Sequence, residues 1–288
     1  MSAVQVKAFL DDDSETFSYV VYREDERKAV VIDPVLDFDY KSGRTSTRGA
    51  QRLVDFVKAE KLQVEWVLET HAHADHLSAA PFVKEQVGGQ IGIGEHIKDV
   101  QKIFKDVFNL EKEFLPNGHQ FDHLFKDGET FKVGSMTFRV MHTPGHTPAD
   151  LCYIVDEEKI FVGDTLFMPD VGTARCDFPG GSASTLYQSI QKILALPETT
   201  EIYICHDYPT QGREHEFKTT VAQQRQHSKH VHDGVTEAEF VKMREERDAT
   251  LEMPRLILPS IQVNIRAGHM PPADADGKVY LKLPIDQL

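Results

Sequence analysis

The chain has 288 residues, 40% of them apolar and 27% charged, and a formal net charge of −14 at pH 7. That balance excludes global disorder, and the acidic excess disfavours nucleic acid or an anionic membrane as partner, because either needs a basic patch to neutralise phosphate. Three scattered cysteines, Cys152, Cys176 and Cys205, form no CxxC pair and no disulfide framework, which points to a reducing compartment.

Residues 1–15 are acidic and show neither a basic region followed by an apolar run nor an arginine-rich presequence. No stretch approaches the roughly 20 apolar residues of a membrane span, so a cytoplasmic location is expected. The length suits one compact α/β unit over residues 1–216 with an appendage of helices and tail at 217–288, packed on the core and not an independent domain.

Residues 17–22 and 29–33 are β-rich runs around a charged turn and predict an antiparallel hairpin. Residues 48–60 place Leu53, Val54, Phe56 and Val57 at helical spacing, and residues 64–68 form a strand that ends just before His71. Residues 79–87 and 95–108 read as helices. Residues 130–141, 151–155 and 159–162 read as strands punctuated by Gly128, Gly134 and Gly145. Residues 184–196 form another amphipathic helix, followed by a short strand at 201–205 and then His206. Charged helices at 217–230 and 236–249 and a Pro-punctuated tail from Pro254 complete the pattern. The alternation is that of an α/β layered fold.

The segment Thr70-His71-Ala72-His73-Ala74-Asp75-His76 offers four potential ligands just after an apolar strand. Imidazole and carboxylate are the donors that bind zinc or iron. A histidine-rich surface loop is the bland alternative, but it leaves the downstream set unexplained: His142 in His-Thr-Pro-Gly-His-Thr, Asp164 in Gly-Asp-Thr-Leu, and His206 in Cys-His-Asp-Tyr. These too fall near predicted strand exits, so the set can converge on one sheet edge, where α/β folds bind ligands.

This series resembles the metallo-β-lactamase superfamily, with its HxHxDH motif, later His, later Asp and final His. The resemblance implies an αββα sandwich with metal at its edge and a small C-terminal helical appendage. In dinuclear members the counterparts of His71, His73 and His142 hold one ion, those of Asp75, His76 and His206 the other, and that of Asp164 bridges.

The seven-residue set by itself suggests a hydrolase, in which two metals lower the pKa of a bridging water; a dinuclear zinc thioester hydrolase of glyoxalase II type is the natural member. Two further segments, Arg175-Cys-Asp-Phe-Pro-Gly-Gly and Asn264-Ile-Arg266, resemble the persulfide dioxygenases, also called sulfur dioxygenases, in their bacterial branch. That resemblance implies one Fe(II) per chain on His71, His142 and Asp164, and oxidation of glutathione persulfide by O2 to sulfite and glutathione. His73, Asp75, His76 and His206 then orient ligands or substrate. A homodimer is the candidate assembly.

Glutathione carries two carboxylates, which suit a guanidinium fork. Arg175 and Arg266, with Asn264 and Tyr208, are the expected substrate contacts, each weighed against a structural salt bridge or a packed side chain. Cys176 reads as a small buried hydrophobe. His146, His96, His119, His123 and His269 read as structural or surface residues, and His227, His230 and His232 as a solvated helix end.

Overall fold

The structure, a computed structural model, describes residues 2–210 and 212–287. Packing divides it into two units, one of Met1–Ser14, Ser18–Leu124 and Met253–Leu288, the other of Glu15–Phe17 and Phe125–Glu252.

The first unit opens with β1 (Gln5–Asp11), β2 (Thr16–Tyr22, of which Thr16 and Phe17 belong to the second unit) and β3 (Lys28–Ile32); β2 and β3 form the expected antiparallel hairpin. Next come β4 (Val35–Asp39), β5 (Arg44–Ser46), α1 (Arg48–Ala59), β6 (Gln63–Leu68) and β7 (Leu77–Ser78). Then follow α2 (Ala80–Val87), β8 (Gln90–Gly94), α3 (Ile97–Val107) and β9 (His123–Phe125). The main sheet runs β1-β2-β3-β6-β8-β9, and a small one runs β5-β4-β7.

The β3–β6 and β6–β8 pairs are parallel. Parallel pairing requires a crossover, supplied by α1 and α2. It also places strands between covered faces, so β3 reads as a continuous apolar run in which Ala29 to Ile32 are fully buried.

The second unit contains β10 (Thr130–Val133), β11 (Met136–His142), β12 (Leu151–Val155), β13 (Lys159–Phe161) and α4 (Ala183–Leu194). β14 (Glu201–Tyr203), β15 (Lys218–Thr220), α5 (Val221–His227) and α6 (Glu237–Asp248) complete it. Its sheet runs in chain order from β10 to β15. The run expected as one strand at 130–141 is a hairpin, because Gly134 at φ +58° permits the tight turn between paired Val133 and Met136.

In this sheet, among the described residues, only β13 and β14 pair in parallel, joined by α4, whose buried face of Leu186, Ile190 and Ile193 packs on Cys152, Ile160 and Ile202. Ser182 caps this helix by accepting from the Thr185 amide at 3.3 Å. The helix expected at 217–230 begins late: Lys218, Thr219 and Thr220 pair with β14, and α5 starts once Thr220 caps the Gln223 amide. α6 carries a capping box of Thr236 and Glu239.

The Pro-punctuated tail contains a helix not expected from sequence, α7 (Ile257–Asn264), which belongs to the first unit. Pro259 lies in its first turn, where a missing amide hydrogen costs nothing. No helix among the described residues is long and apolar enough to cross a membrane.

Candidate metal centre

His71, Asp164 and His206 each lie three residues beyond a strand end, at Leu68, Phe161 and Tyr203. A strand holds its side chains in alternation, whereas the loop just past it can turn a donor toward a ligand.

In the first unit the loop after β6 is ordered from below by Asp33. Its Oδ1 accepts from the Thr70 amide at 2.8 Å and its Oδ2 from the Thr70 hydroxyl at 2.9 Å. With its proton given to Asp33, Thr70 Oγ1 accepts from His71 Nδ1 at 3.0 Å, which leaves Nε2 as the His71 donor atom. His73 Nε2 lies 3.1 Å from Asp33 and 3.4 Å from Glu69, which leaves Nδ1 as its donor atom. His76 Nδ1 lies 3.1 Å from Asp75 Oδ2. The rings of His71, His73 and His76 follow one another at 4.0 and 4.2 Å between centroids.

Asp33, Glu69 and His73 are all buried. Burial works to raise the Asp33 pKa, but His73 and the Thr70 hydrogen bonds outweigh it and hold the carboxylate below its ordinary value. Burial raises that of Glu69. Asn264, at the end of α7, braces the same loop: Nδ2 donates to the carbonyls of His73 and His76, each at 2.8 Å, and Oδ1 accepts from the Ser78 amide at 2.8 Å.

In the second unit the structure corrects one assignment. Of the two histidines in His142-Thr-Pro-Gly-His146, it is His146 that approaches Asp164, with Nε2 3.6 Å from Oδ2. His142 is the last residue of β11, paired with Leu151, and its Nε2 donates to the Pro148 carbonyl at 3.0 Å. Among the described residues it joins no group of three or more metal donors. Gly145, at φ +145°, makes the difference, because a Cβ there would sit 2.3 Å from the Leu186 backbone. Its absence lets the turn lie against α4 and carries His146 into the interior.

His146 Nδ1 donates to the Arg175 carbonyl at 2.7 Å, leaving Nε2 as the donor atom. His206 lies on the other side of Asp164, with Nε2 3.4 Å from Oδ1 and Nδ1 3.2 Å from Thr16 Oγ1. Asp150, buried near His146 and bonded by the Thr147 amide, has its pKa raised to about 6 by burial. Sequence reading left His146 as structural; the visible signal was the second histidine four residues past the strand end.

The expected substrate contacts are engaged within the protein. Arg175 forms a fork with Asp177 at 2.6 and 2.7 Å, donates to the Glu252 carbonyl at 2.6 Å and lies over the Phe178 ring. Arg266 is buried, forked on Glu111 at 2.7 and 2.9 Å and stacked over Phe114. Asn264 serves the ligand loop, as above. Tyr208 is 40% exposed and stacks on His206. Cys176 is buried, and burial pushes its thiol pKa up. His230 is also buried and accepts from the Thr173 amide, in place of the expected solvated helix end.

Each unit thus holds buried imidazoles with one nitrogen fixed by a hydrogen bond and the other oriented as a donor, together with carboxylates. That chemistry fits a divalent cation. The model of the metallo-β-lactamase superfamily matches residues 11–206, so the chain belongs to that superfamily, and its α/β sandwich fold and histidine–aspartate metal-binding cluster are those of the family.

The chain is 51% identical to glyoxylase B2 of Dictyostelium discoideum, over 99% of this chain and 98% of the relative. It is 50% identical to a probable metallo-hydrolase of Burkholderia pseudomallei, over 98% and 99%. The mitochondrial persulfide dioxygenase of Homo sapiens is 29% identical, over 89% and 86%. Among solved structures, ETHE1 from Myxococcus xanthus matches with a TM-score of 0.72 and 28% identity, over 92% of this chain and all of that one.

Proposed function

We propose that the chain is an iron-dependent persulfide dioxygenase that converts glutathione persulfide, O2 and water to glutathione and sulfite. In this reading the Fe(II) ligands are His71, His146 and Asp164, in place of the triad through His142. The observation that supports it most is the pairing of His146 with Asp164 while the other His146 nitrogen is held by Arg175, in the Arg-x-Asp-Phe segment that resembles these enzymes. Two imidazoles and one carboxylate are the ligand set of oxygen-activating non-haem iron and leave open positions for sulfur and O2.

When bound, the iron supplies the redox chemistry that joins O2 to the outer persulfide sulfur. That sulfur is oxidised to sulfite, O2 is reduced, the S–S bond breaks, and the inner sulfur leaves as the glutathione thiol. The protein's part is to fix the donors through Thr70, Asp33 and the Arg175 carbonyl, and to present Arg175 to a glutathione carboxylate by exchange with Asp177. Tyr208 supplies an exposed phenol beside His206. Three buried free cysteines suit a cytoplasmic setting.

The relatives at 51% and 50% identity are named a glyoxylase and a probable metallo-hydrolase, which favours a hydrolase; the second reading is therefore a dinuclear zinc thioester hydrolase that also uses His73, Asp75, His76 and His206. Metal stoichiometry with O2 uptake on glutathione persulfide separates the two. One iron per chain and O2-dependent sulfite support the dioxygenase, with Asp75→Ala retaining iron. Two zinc ions, reduced to one in Asp75→Ala with loss of thioester hydrolysis, overturn it.

A further inference from the structure

The largest fully buried side chain of the second unit is that of Arg244 in α6, a charge that no part of the proposed chemistry uses. Its Nε and Nη2 donate to Asp248 Oδ1 at 2.9 and 2.6 Å, and its Nη1 donates to the Thr173 carbonyl at 3.0 Å. Asp248 Oδ2 in turn accepts from the Cys176 amide at 2.8 Å. One ion pair therefore grips two backbone points of the strap formed by residues 173–177.

A third point is held by His230, whose Nδ1 accepts from the Thr173 amide at 3.1 Å. The approach is so close that a Cβ on the neighbouring Gly172, at φ +102°, would lie 2.2 Å from that nitrogen. Between the gripped residues lies Arg175, whose carbonyl accepts a hydrogen bond from His146 Nδ1. A buried charge pair is costly to desolvate and is weak evidence for stability by itself.

We propose that the buried Arg244–Asp248 pair is a positioning device for the metal centre: it fixes the 173–177 strap and, through the Arg175 carbonyl, the tautomer and angle of the His146 imidazole. The inference rests on His146 being a metal ligand, as proposed above. Outer partners that orient a ligating histidine typically change metal affinity 10- to 100-fold when lost. Neither Arg244 nor Asp248 need touch metal or substrate for this.

The test is chelator competition for Fe(II) under anaerobic conditions on the full chain, a readout independent of turnover. Asp248→Ala is expected to weaken iron binding by about 10- to 100-fold, and Asp248→Asn, which keeps an oxygen for the Cys176 amide, to restore part of it. Because Asp248→Ala strands a buried guanidinium, Arg244→Met/Asp248→Leu is made alongside; it leaves no buried charge and is expected to show the same weakening. Tyr187→Phe removes a different hydrogen bond of this region, to the Val235 carbonyl at 2.8 Å, and is expected to leave affinity unchanged. Unchanged affinity in the folded double variant, or equal weakening in Tyr187→Phe, overturns the proposal. If His146→Ala keeps its iron, the reading of the metal centre fails; if His146→Ala loses iron and the Asp248 variants do not, only the positioning role fails.

Discussion

Asn264 donates from Nδ2 to the His73 carbonyl at 2.8 Å, joining the end of α7 to the ligand loop across 191 residues of chain. Its side chain makes two donations to carbonyls of that loop and one acceptance from the Ser78 amide in β7. Asn264→Ala leaves three buried backbone groups without these partners, at about 1 kcal/mol or more each, so a loss of about 3 kcal/mol in urea unfolding is expected. Asn264→Asp should also destabilise, because a carboxylate cannot donate to two carbonyls. A change in KM for persulfide without loss of stability would return Asn264 to the substrate.

The two histidines of the His142-Thr-Pro-Gly-His146 segment give opposite expectations. His146→Ala should lose bound iron and turnover, whereas His142→Ala, which removes a half-buried ring bonded to its own loop, should keep its metal. Iron analysis of the two variants beside wild type decides, and metal loss confined to His142→Ala would reverse the assignment.

Asp164 sits between His146 and His206 at 3.6 and 3.4 Å. Asp164→Ala removes the carboxylate of the proposed triad, so iron content and sulfite formation should fall together. Retention of a full iron complement after dialysis would show that the carboxylate is not a ligand.

Arg175→Ala removes a side chain directed at Asp177 and the Glu252 carbonyl while leaving the carbonyl that holds His146. The expected result is a raised KM for glutathione persulfide, about 10-fold or more, with iron content near wild type. Iron loss at constant KM would make the residue structural.

His230 is held neutral by burial, with Arg244, Arg247 and Lys229 adding to the effect, and its pKa is lowered to about 4. A histidine with a depressed folded pKa contributes fully above its unfolded value, and stability falls as pH drops from about 6.5 to about 4, because the unfolded state takes the proton first. The shift corresponds to about 3 kcal/mol over that window. His230→Gln should flatten the slope of stability against pH there, measured by denaturant melts at several pH values. An unchanged slope would mean that His230 titrates normally.

The sequence by itself determined the α/β alternation, the hairpin of β2 and β3 and the family's histidine–aspartate series, because local periodicity and the donor chemistry of His and Asp are written residue by residue. It also marked Asp164 and His206 through the strands before them. The tertiary structure decided which histidine of His142-Thr-Pro-Gly-His146 approaches Asp164, since that depends on whether Gly145 can lie against α4, a contact 41 residues away that no local pattern encodes. It likewise turned Asn264 and Arg266 inward, onto the ligand loop and onto Glu111, and placed Arg244 and His230 under the Arg175 strap. A motif fixes which groups are present; the direction in which each points is set by what packs behind it.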